Sequence, residues 1–232
     1  MKKNYIFLKI HKSTVFLIPP ALIFCILITA CTQKRQDSSV NVTFINQDKT
    51  LDPKIQEGLT EIVHKVYPQL MKDFNKDART DIAIKIDTTY DGVAFANDGQ
   101  VTISSKWLHA KPEDLDLITH EVMHIIQAYP NGSGPGWLTE GIADYVRAKY
   151  GVDNKGAGWS MTPFDSSQHY TNSYRITARF LTWISQKYDD QIVFKLDNNL
   201  RNKTYSADLW KKYTGKTLDQ LWETYSKDPT IS

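Results

Sequence analysis

Residues 119–127, THEVMHIIQ, place two histidines four positions apart, with a glutamate directly after the first. On an α-helix, residues four apart differ by about 40° around the axis and about 6 Å along it. His120 and His124 would therefore project from one face as a pair of nitrogen ligands that suits Zn²⁺. Glu121, displaced by about a quarter turn, is expected to reach a water molecule beside the ion. This pattern is typical of hydrolysis by metal-activated water, with Glu121 taking the proton.

The same segment also fits a core helix that binds no metal. Apolar residues recur along it, at Leu117, Val122, Ile125 and Ile126. On this interpretation the histidines are core residues satisfied by hydrogen bonds, and the glutamate lies at the surface. A catalytic zinc takes three protein ligands and keeps one position open, so a third ligand nearby favours the metal.

The third ligand is expected on the next helix. The extended motif H-E-x-x-H-x-x-G-x-x-H is excluded, because Gln127 and Pro130 occupy its Gly and third His positions. Glu140 and Asp144 share a helix face, and the Gly- and Pro-rich loop 130–136 can reverse the chain before them. We expect Glu140 to ligate the metal, because its longer side chain can cross a helix gap of about 8–10 Å. Asp144 would accept the other ring N–H of a ligating histidine; the reverse assignment, with Asp144 as ligand, stays open.

Other residues near the motif have weaker assignments. Gly141 allows another backbone to approach closely. Tyr174 is the chosen catalytic donor to the oxyanion of the tetrahedral intermediate, with His169 and Tyr170 as alternatives and aromatic packing as the other interpretation. The strand at 100–104 is considered as an edge strand that pairs with an extended peptide, against an interior position.

The elements that must position these residues differ between the two halves of the chain. Alternating apolar residues predict strands at 40–46 and 81–87 and a hairpin at 93–104. An apolar face between them predicts a helix at 52–74, with Asp52 at its N-cap. Further helices are predicted at 112–129, 137–150, 173–188, 190–200 and 217–225. Strands followed by helices indicate an α+β domain.

Residues 1–30 have the pattern of a lipoprotein signal peptide. A basic start is followed by an apolar stretch that ends in ITAC, so Cys31 would become the lipidated N-terminus. A plain signal peptide and an uncleaved anchor are the alternatives, but the apolar stretch contains two prolines and is short for a stable span. Residues 31–39 are expected to form a polar tether, and 40–228 the folded domain.

Cleavage after residue 30 would change the charge balance. The chain has 28 basic and 26 acidic residues. Four lysines lie in the leader, which leaves 24 basic against 26 acidic residues, a formal net charge of −2. No basic excess points to a nucleic-acid partner. Cys25 and Cys31 are the only cysteines, so no disulfide is expected within the folded domain.

Three segments in order, HEVMHIIQ, GPGWLTEGIADYVR and YRITARFLTW, resemble the basic secretory protein family of plants and bacteria. GVAFANDGQVTISSKWL resembles that family's stretch ahead of the metal helix, and the resemblance covers residues 40–226. It implies a zinc-dependent peptidase of the gluzincin type, with His120, Glu121, His124 and Glu140 as the metal and catalytic residues. The chain departs from the family in two respects: the mature part is not basic, and the lipidation box is not a plant feature.

These observations predict a zincin-like α+β fold, with a small N-terminal sheet and helices, a helical C-terminal lobe and the active-site cleft between them. The expected function is that of an extracytoplasmic, lipid-anchored peptidase that uses Zn²⁺ on a peptide or protein substrate, as a monomer. The alternative is a cell-surface lipoprotein that binds peptides or glycans with little turnover. Glu121 favours the enzyme, because a binding protein needs no base there. A structural zinc site is disfavoured, since closed sites have four ligands and three are visible.

Overall fold

The computed structural model describes residues 40–232, which form a four-stranded mixed sheet and eight α-helices. The α+β prediction is confirmed. The strands are β1 (Asn41–Asn46), β2 (Asp81–Asp87), β3 (Ala94–Asn97) and β4 (Gln100–Ser104). The helices are α1 (Pro53–Asp73), α2 (Ser105–Ala110), α3 (Leu117–Gln127), α4 (Gly136–Tyr150), α5 (Tyr174–Lys187), α6 (Ile192–Arg201), α7 (Asp208–Thr214) and α8 (Leu218–Lys227). Within 40–232, no helix combines the length and apolarity needed to cross a bilayer. The predicted signal peptide, the predicted lipidation site Cys31 and the predicted tether lie outside the described residues.

The sheet has the strand order β1-β2-β4-β3. Strands β1, β2 and β4 run parallel, and β3 pairs antiparallel with β4. The turn between β3 and β4 consists of Asp98 and Gly99, both with positive φ, as a type I′ hairpin turn requires. Strand β4 lies between β2 and β3, so the expectation that 100–104 is an edge strand is wrong. The free edge next to this hairpin belongs to β3.

Helix α1 forms as its sequence predicts. Asp52 caps it by accepting the backbone N–H of Lys54 at 2.9 Å, and Pro53 occupies the first helical position. Its periodic apolar residues are all buried: Ile55, Leu59, Ile62, Val63, Val66 and Leu70. This apolar face packs against α3, which carries the histidine pair.

Helix α3 begins at Leu117, and the prediction that it begins at Pro112 is wrong. Two carboxylates in the intervening turns are buried and bind distant groups instead of capping the helix. Asp114 pairs with Arg147 of α4, and Asp116 accepts backbone N–H groups that follow α4. These contacts tie the start of α3 to the end of α4. The short helices α2 and α7 were not predicted as separate elements.

Helix α4 packs between α3 and α5, with a close approach at Gly141. A Cβ at this position would overlap the side chain of Thr177 on α5. Thr177 is fully buried, and its hydroxyl donates to the carbonyl of Tyr170 at 2.6 Å. A close approach is therefore present at Gly141, but it is made by a side chain of α5 and not by the backbone that the sequence led us to expect.

Replacing Gly141 by alanine should lower the free energy of unfolding by about 1–3 kcal/mol, because overpacking outweighs the helix-propensity gain of about 0.5–1 kcal/mol. Gly136 begins the same helix and has no heavy atom within 4 Å of an added Cβ. Gly136→Ala is thus the matched control and should be neutral or slightly stabilising. Urea unfolding measures both variants. Equal stability of the two would contradict a tight contact between α4 and α5.

Candidate metal centre

Helices α3 and α4 bring His120, His124 and Glu140 together. The Nε2 atoms of the two histidines are 3.1 Å apart. Glu140 Oε2 lies 3.3 Å from His120 Nε2 and 3.4 Å from His124 Nε2. A tetrahedral ion with ligands at about 2.0–2.1 Å has ligand atoms about 3.3–3.4 Å apart. The three atoms therefore have the spacing of one face of such a site, and the group can hold a metal ion.

Each histidine is held by a hydrogen bond at its other ring nitrogen. His120 Nδ1 lies 2.7 Å from Asp144 Oδ1, and His124 Nδ1 lies 2.8 Å from Gln127 Oε1. Because both partners are acceptors, each Nδ1 carries a hydrogen, so each ring in its neutral form turns the lone pair of Nε2 to the shared centre. Asp144 thus occupies the outer position expected for it, beyond the ring of His120.

Gln127 was not predicted to belong to the site. Its amide nitrogen donates to the carbonyl of Thr139 at 2.9 Å, so one side chain joins His124 to α4 next to Glu140. The available signal was its spacing. Gln127 follows His124 by three residues, which places both side chains on one face of α3.

His120, His124 and Glu140 are called the metal group below. Glu121 lies beside this group, and its side chain is buried, at 7% exposure. The surface position required by the metal-free interpretation is therefore excluded. Burial raises the pKa of this carboxyl, although the charges of His120 and His124 act in the opposite direction. Among the described residues, nothing hydrogen-bonds to Glu121 Oε2. A buried polar atom without a partner costs about 1–3 kcal/mol, so this oxygen is suited to a donor that enters the cavity.

The centre favours positive charge. Burial lowers the pKa of His120, but its hydrogen bonds with Asp144 and Glu140 outweigh burial and raise that pKa. Burial raises the pKa of Glu140, but hydrogen bonds with both histidines outweigh it and lower that pKa. A positive charge between the rings and the carboxylates is therefore stabilised. Two imidazole nitrogens with one carboxylate oxygen form a donor set of catalytic zinc sites, so the residues fit such an ion.

A cavity of about 510 Å³ opens over the metal group. Residues 94–96, which belong to strand β3, and Thr139 and Glu140 of α4 are among the residues that line it. Tyr174, at the start of α5, also lines the cavity and stacks on His120, with 6.2 Å between ring centroids. The phenol of Tyr174 is thus beside the metal group and is 53% exposed.

Of the three residues considered as oxyanion donors, only Tyr174 reaches this cavity within the described part of the chain. Tyr170 donates its hydroxyl to Asp219 at 2.7 Å, and His169 bonds Thr171 through Nδ1 at 2.9 Å. The negative charge of Glu140 is the largest cause that raises the pKa of Tyr174. The phenol therefore keeps its proton and remains a hydrogen-bond donor.

The comparison with protein families agrees with this geometry. A family model described as "BSP: Peptidase of plants and bacteria" matches residues 32–225, which include α3, α4 and the cavity walls. No curated protein and no solved structure gives a significant match. Because the family model covers most of the chain, the protein belongs to the basic secretory protein family, the peptidases of plants and bacteria.

Proposed function

We propose that this protein is a zinc-dependent peptidase. The observation that carries the proposal is the triangle formed by His120 Nε2, His124 Nε2 and Glu140 Oε2, next to the unpartnered carboxylate oxygen of Glu121. Catalytic zinc sites have three such protein ligands and one open position. A bound Zn²⁺ would supply a Lewis acid that acidifies a water molecule and polarises the peptide carbonyl.

The side chains around the triangle have separate tasks. Glu121 takes the proton of the attacking water and returns a proton to the leaving amine. Tyr174 donates its phenol hydrogen to the carbonyl oxygen as that atom gains negative charge. Asp144 and Gln127 keep hydrogen on the Nδ1 atoms and hold both imidazole rings in position.

The free edge of β3 is the proposed site for the substrate backbone. This strand lines the same cavity as Glu140 and Tyr174, and its outer backbone groups have no neighbouring strand in the described sheet. An extended peptide that adds to this edge would cross the metal group. A small sheet whose edge strand borders the metal-bearing helix, with helices beyond the cleft, supports the zincin-like arrangement predicted from the sequence.

We also propose that the domain acts outside the cytoplasm, attached to the membrane through lipid on Cys31. The basic and apolar composition of residues 1–30 and the ITAC sequence support this location. Cys31→Ser should release the protein from the membrane fraction or block its maturation. Fractionation and the mass of the N-terminal peptide test this, and unchanged results in both would contradict lipidation.

Glu121→Gln should keep one zinc per chain and lower kcat/KM by about 10²–10⁴-fold, because the amide cannot accept the proton. Tyr174→Phe is the companion change. It should also retain zinc and lower kcat by about 10²–10³-fold with little change in KM, because only the developing oxyanion loses a donor. Metal content and steady-state kinetics on a peptide substrate measure both variants. Glu121→Gln activity within about tenfold of the wild-type value would rule out the proposed base.

Substitution of single acid or amide side chains should separate the proposed ligand from the residues that hold the histidine rings. Glu140→Ala should strip most of the bound zinc, whereas Asp144→Asn and Gln127→Ala should weaken zinc affinity by about 10- to 100-fold. Competition with a chelating dye gives the three affinities, and circular dichroism verifies folding. If Asp144→Asn abolished binding and Glu140→Ala retained it, the two acids would have exchanged roles.

A further inference from the structure

A second cavity, of about 770 Å³, lies beside the first. The two share five lining residues, Tyr90, Ala94, His120, Glu121 and Tyr174. Together they form one cleft that passes over the metal group. Apart from Glu121 and Glu140 at the metal group, the lining of the first cavity carries no acidic or basic side chain other than the two histidines. The second cavity adds three basic side chains, Lys111, Arg147 and Arg175.

Arg147 is a fixed part of the cavity wall. It is buried, pairs with Asp114 and donates Nε to Asn154 Oδ1 at 3.1 Å. Its guanidinium lies 4.5 Å from the centroid of the Trp159 ring. Asp114 also accepts the indole N–H of Trp107 at 3.0 Å. The charge of Arg147 is therefore compensated, and the tryptophans provide apolar surface beside it.

Lys111 and Arg175 are different, because both are exposed. Within residues 40–232 neither side chain forms an ion pair or a hydrogen bond, yet both line the second cavity. The acids that line the same cavity do not neutralise these two cations. Asp114 pairs with Arg147, Asp144 bonds His120, and Glu121 is buried beside the metal group. The uncompensated charge that faces solvent in this cavity is thus positive.

We take the peptide to add antiparallel to β3, as β4 does on the other edge of that strand, and this direction determines which part of the substrate meets these cations. A peptide that adds antiparallel to β3 runs opposite to it, so its N-terminal part lies near Asn97 and its C-terminal part near Ala94. The first cavity is lined by residues 94–96, and the second by Val93 and Ala94. Residues that follow the scissile bond would therefore enter the second cavity.

Resting on the peptidase function proposed above, we propose that the protein selects peptides with a carboxylate on the C-terminal side of the cleaved bond. Lys111 and Arg175 would bind this carboxylate by charge-assisted hydrogen bonds. The side chain of aspartate or glutamate and the free C-terminus of a short peptide share this chemistry. Trp107 and Trp159 line the same cavity and would contact the methylene groups beside the carboxylate.

Internal competition between matched peptides tests this selection. The purified zinc-loaded protein digests a mixture of peptides that differ only by Glu, Gln or Lys at the first or second position after the cleaved bond. Each peptide is made with a free and an amidated C-terminus. Mass spectrometry of the products gives the ratio of kcat/KM values. We expect about five- to tenfold preference for Glu or for the free terminus at low ionic strength, falling as salt screens the exposed cations.

Charge reversal assigns the preference to the two cations. Lys111→Glu combined with Arg175→Glu should bring the ratio to one or below and favour Lys at the same position. Lys65→Glu on α1 is the matched control, because Lys65 is exposed and lines neither cavity. It makes one of the same charge changes and should leave the wild-type ratio unaltered. Zinc content of each variant shows that the centre is intact.

The outcomes separate this inference from the peptidase proposal. Cleavage with a ratio near one, or an equal loss of preference in Lys65→Glu, would overturn the carboxylate site and leave the peptidase intact. No cleavage of any peptide would overturn both. Loss of the preference on amidation identifies the C-terminus as the bound group, and its persistence identifies the side chain; either result supports the site.

Discussion

The charge buried between α3 and α4 is the constraint on which the structure depends. The imidazole rings of His120 and His124 lie close to three carboxylates in one largely buried region. The carboxylates are those of Glu121, Glu140 and Asp144. Transfer of charged groups out of water costs several kcal/mol each, and an uncompensated partner is strongly destabilising. Hydrogen bonds to the rings compensate Asp144 and Glu140, but not the free oxygen of Glu121. A divalent cation would balance the remaining charge, so metal binding would stabilise the folded chain as well as prepare it for catalysis.

Helix α3 can carry this charge only because other elements supply its partners. Every residue of α3 except His124 is buried, so the helix has almost no water-facing side. Its apolar residues pack against α1 and the sheet, while His120 and Gln127 form hydrogen bonds with α4. The partners of the histidines therefore come from α4 and from Gln127, which is itself fixed by an α4 carbonyl. One face of α3 packs into the apolar core and another carries the histidines of the metal group. Displacement of α4 would therefore disturb both.

The sequence was sufficient for features that depend on one helix or on adjacent elements. Helical spacing placed His120 and His124 on one face, and the loop before α4 allowed Glu140 to meet them. The order of strands was not predictable in the same way, because alternation marks a strand without identifying its neighbours. The start of α3 was missed since Glu113 and Asp114 resemble first-turn acids, whereas Asp114 pairs with the distant Arg147. Gln127 was missed because an amide on a helix has no typical role until its acceptor is known.

Backbone strain at the start of α5 shows how Tyr174 is held at the cleft. Ser173 and Tyr174 have φ values of 66° and 51°, in a region that non-glycine residues avoid at a cost of about 1–3 kcal/mol each. Such strain persists where neighbouring contacts determine the conformation, and Thr177 provides them. Its hydroxyl holds the carbonyl of Tyr170 ahead of the strained pair, while its side chain packs against Gly141. One buried residue thus positions both the helix that carries Glu140 and the turn that carries Tyr174, so the distance between the proposed ligand and the proposed oxyanion donor depends on the packing of α4 against α5.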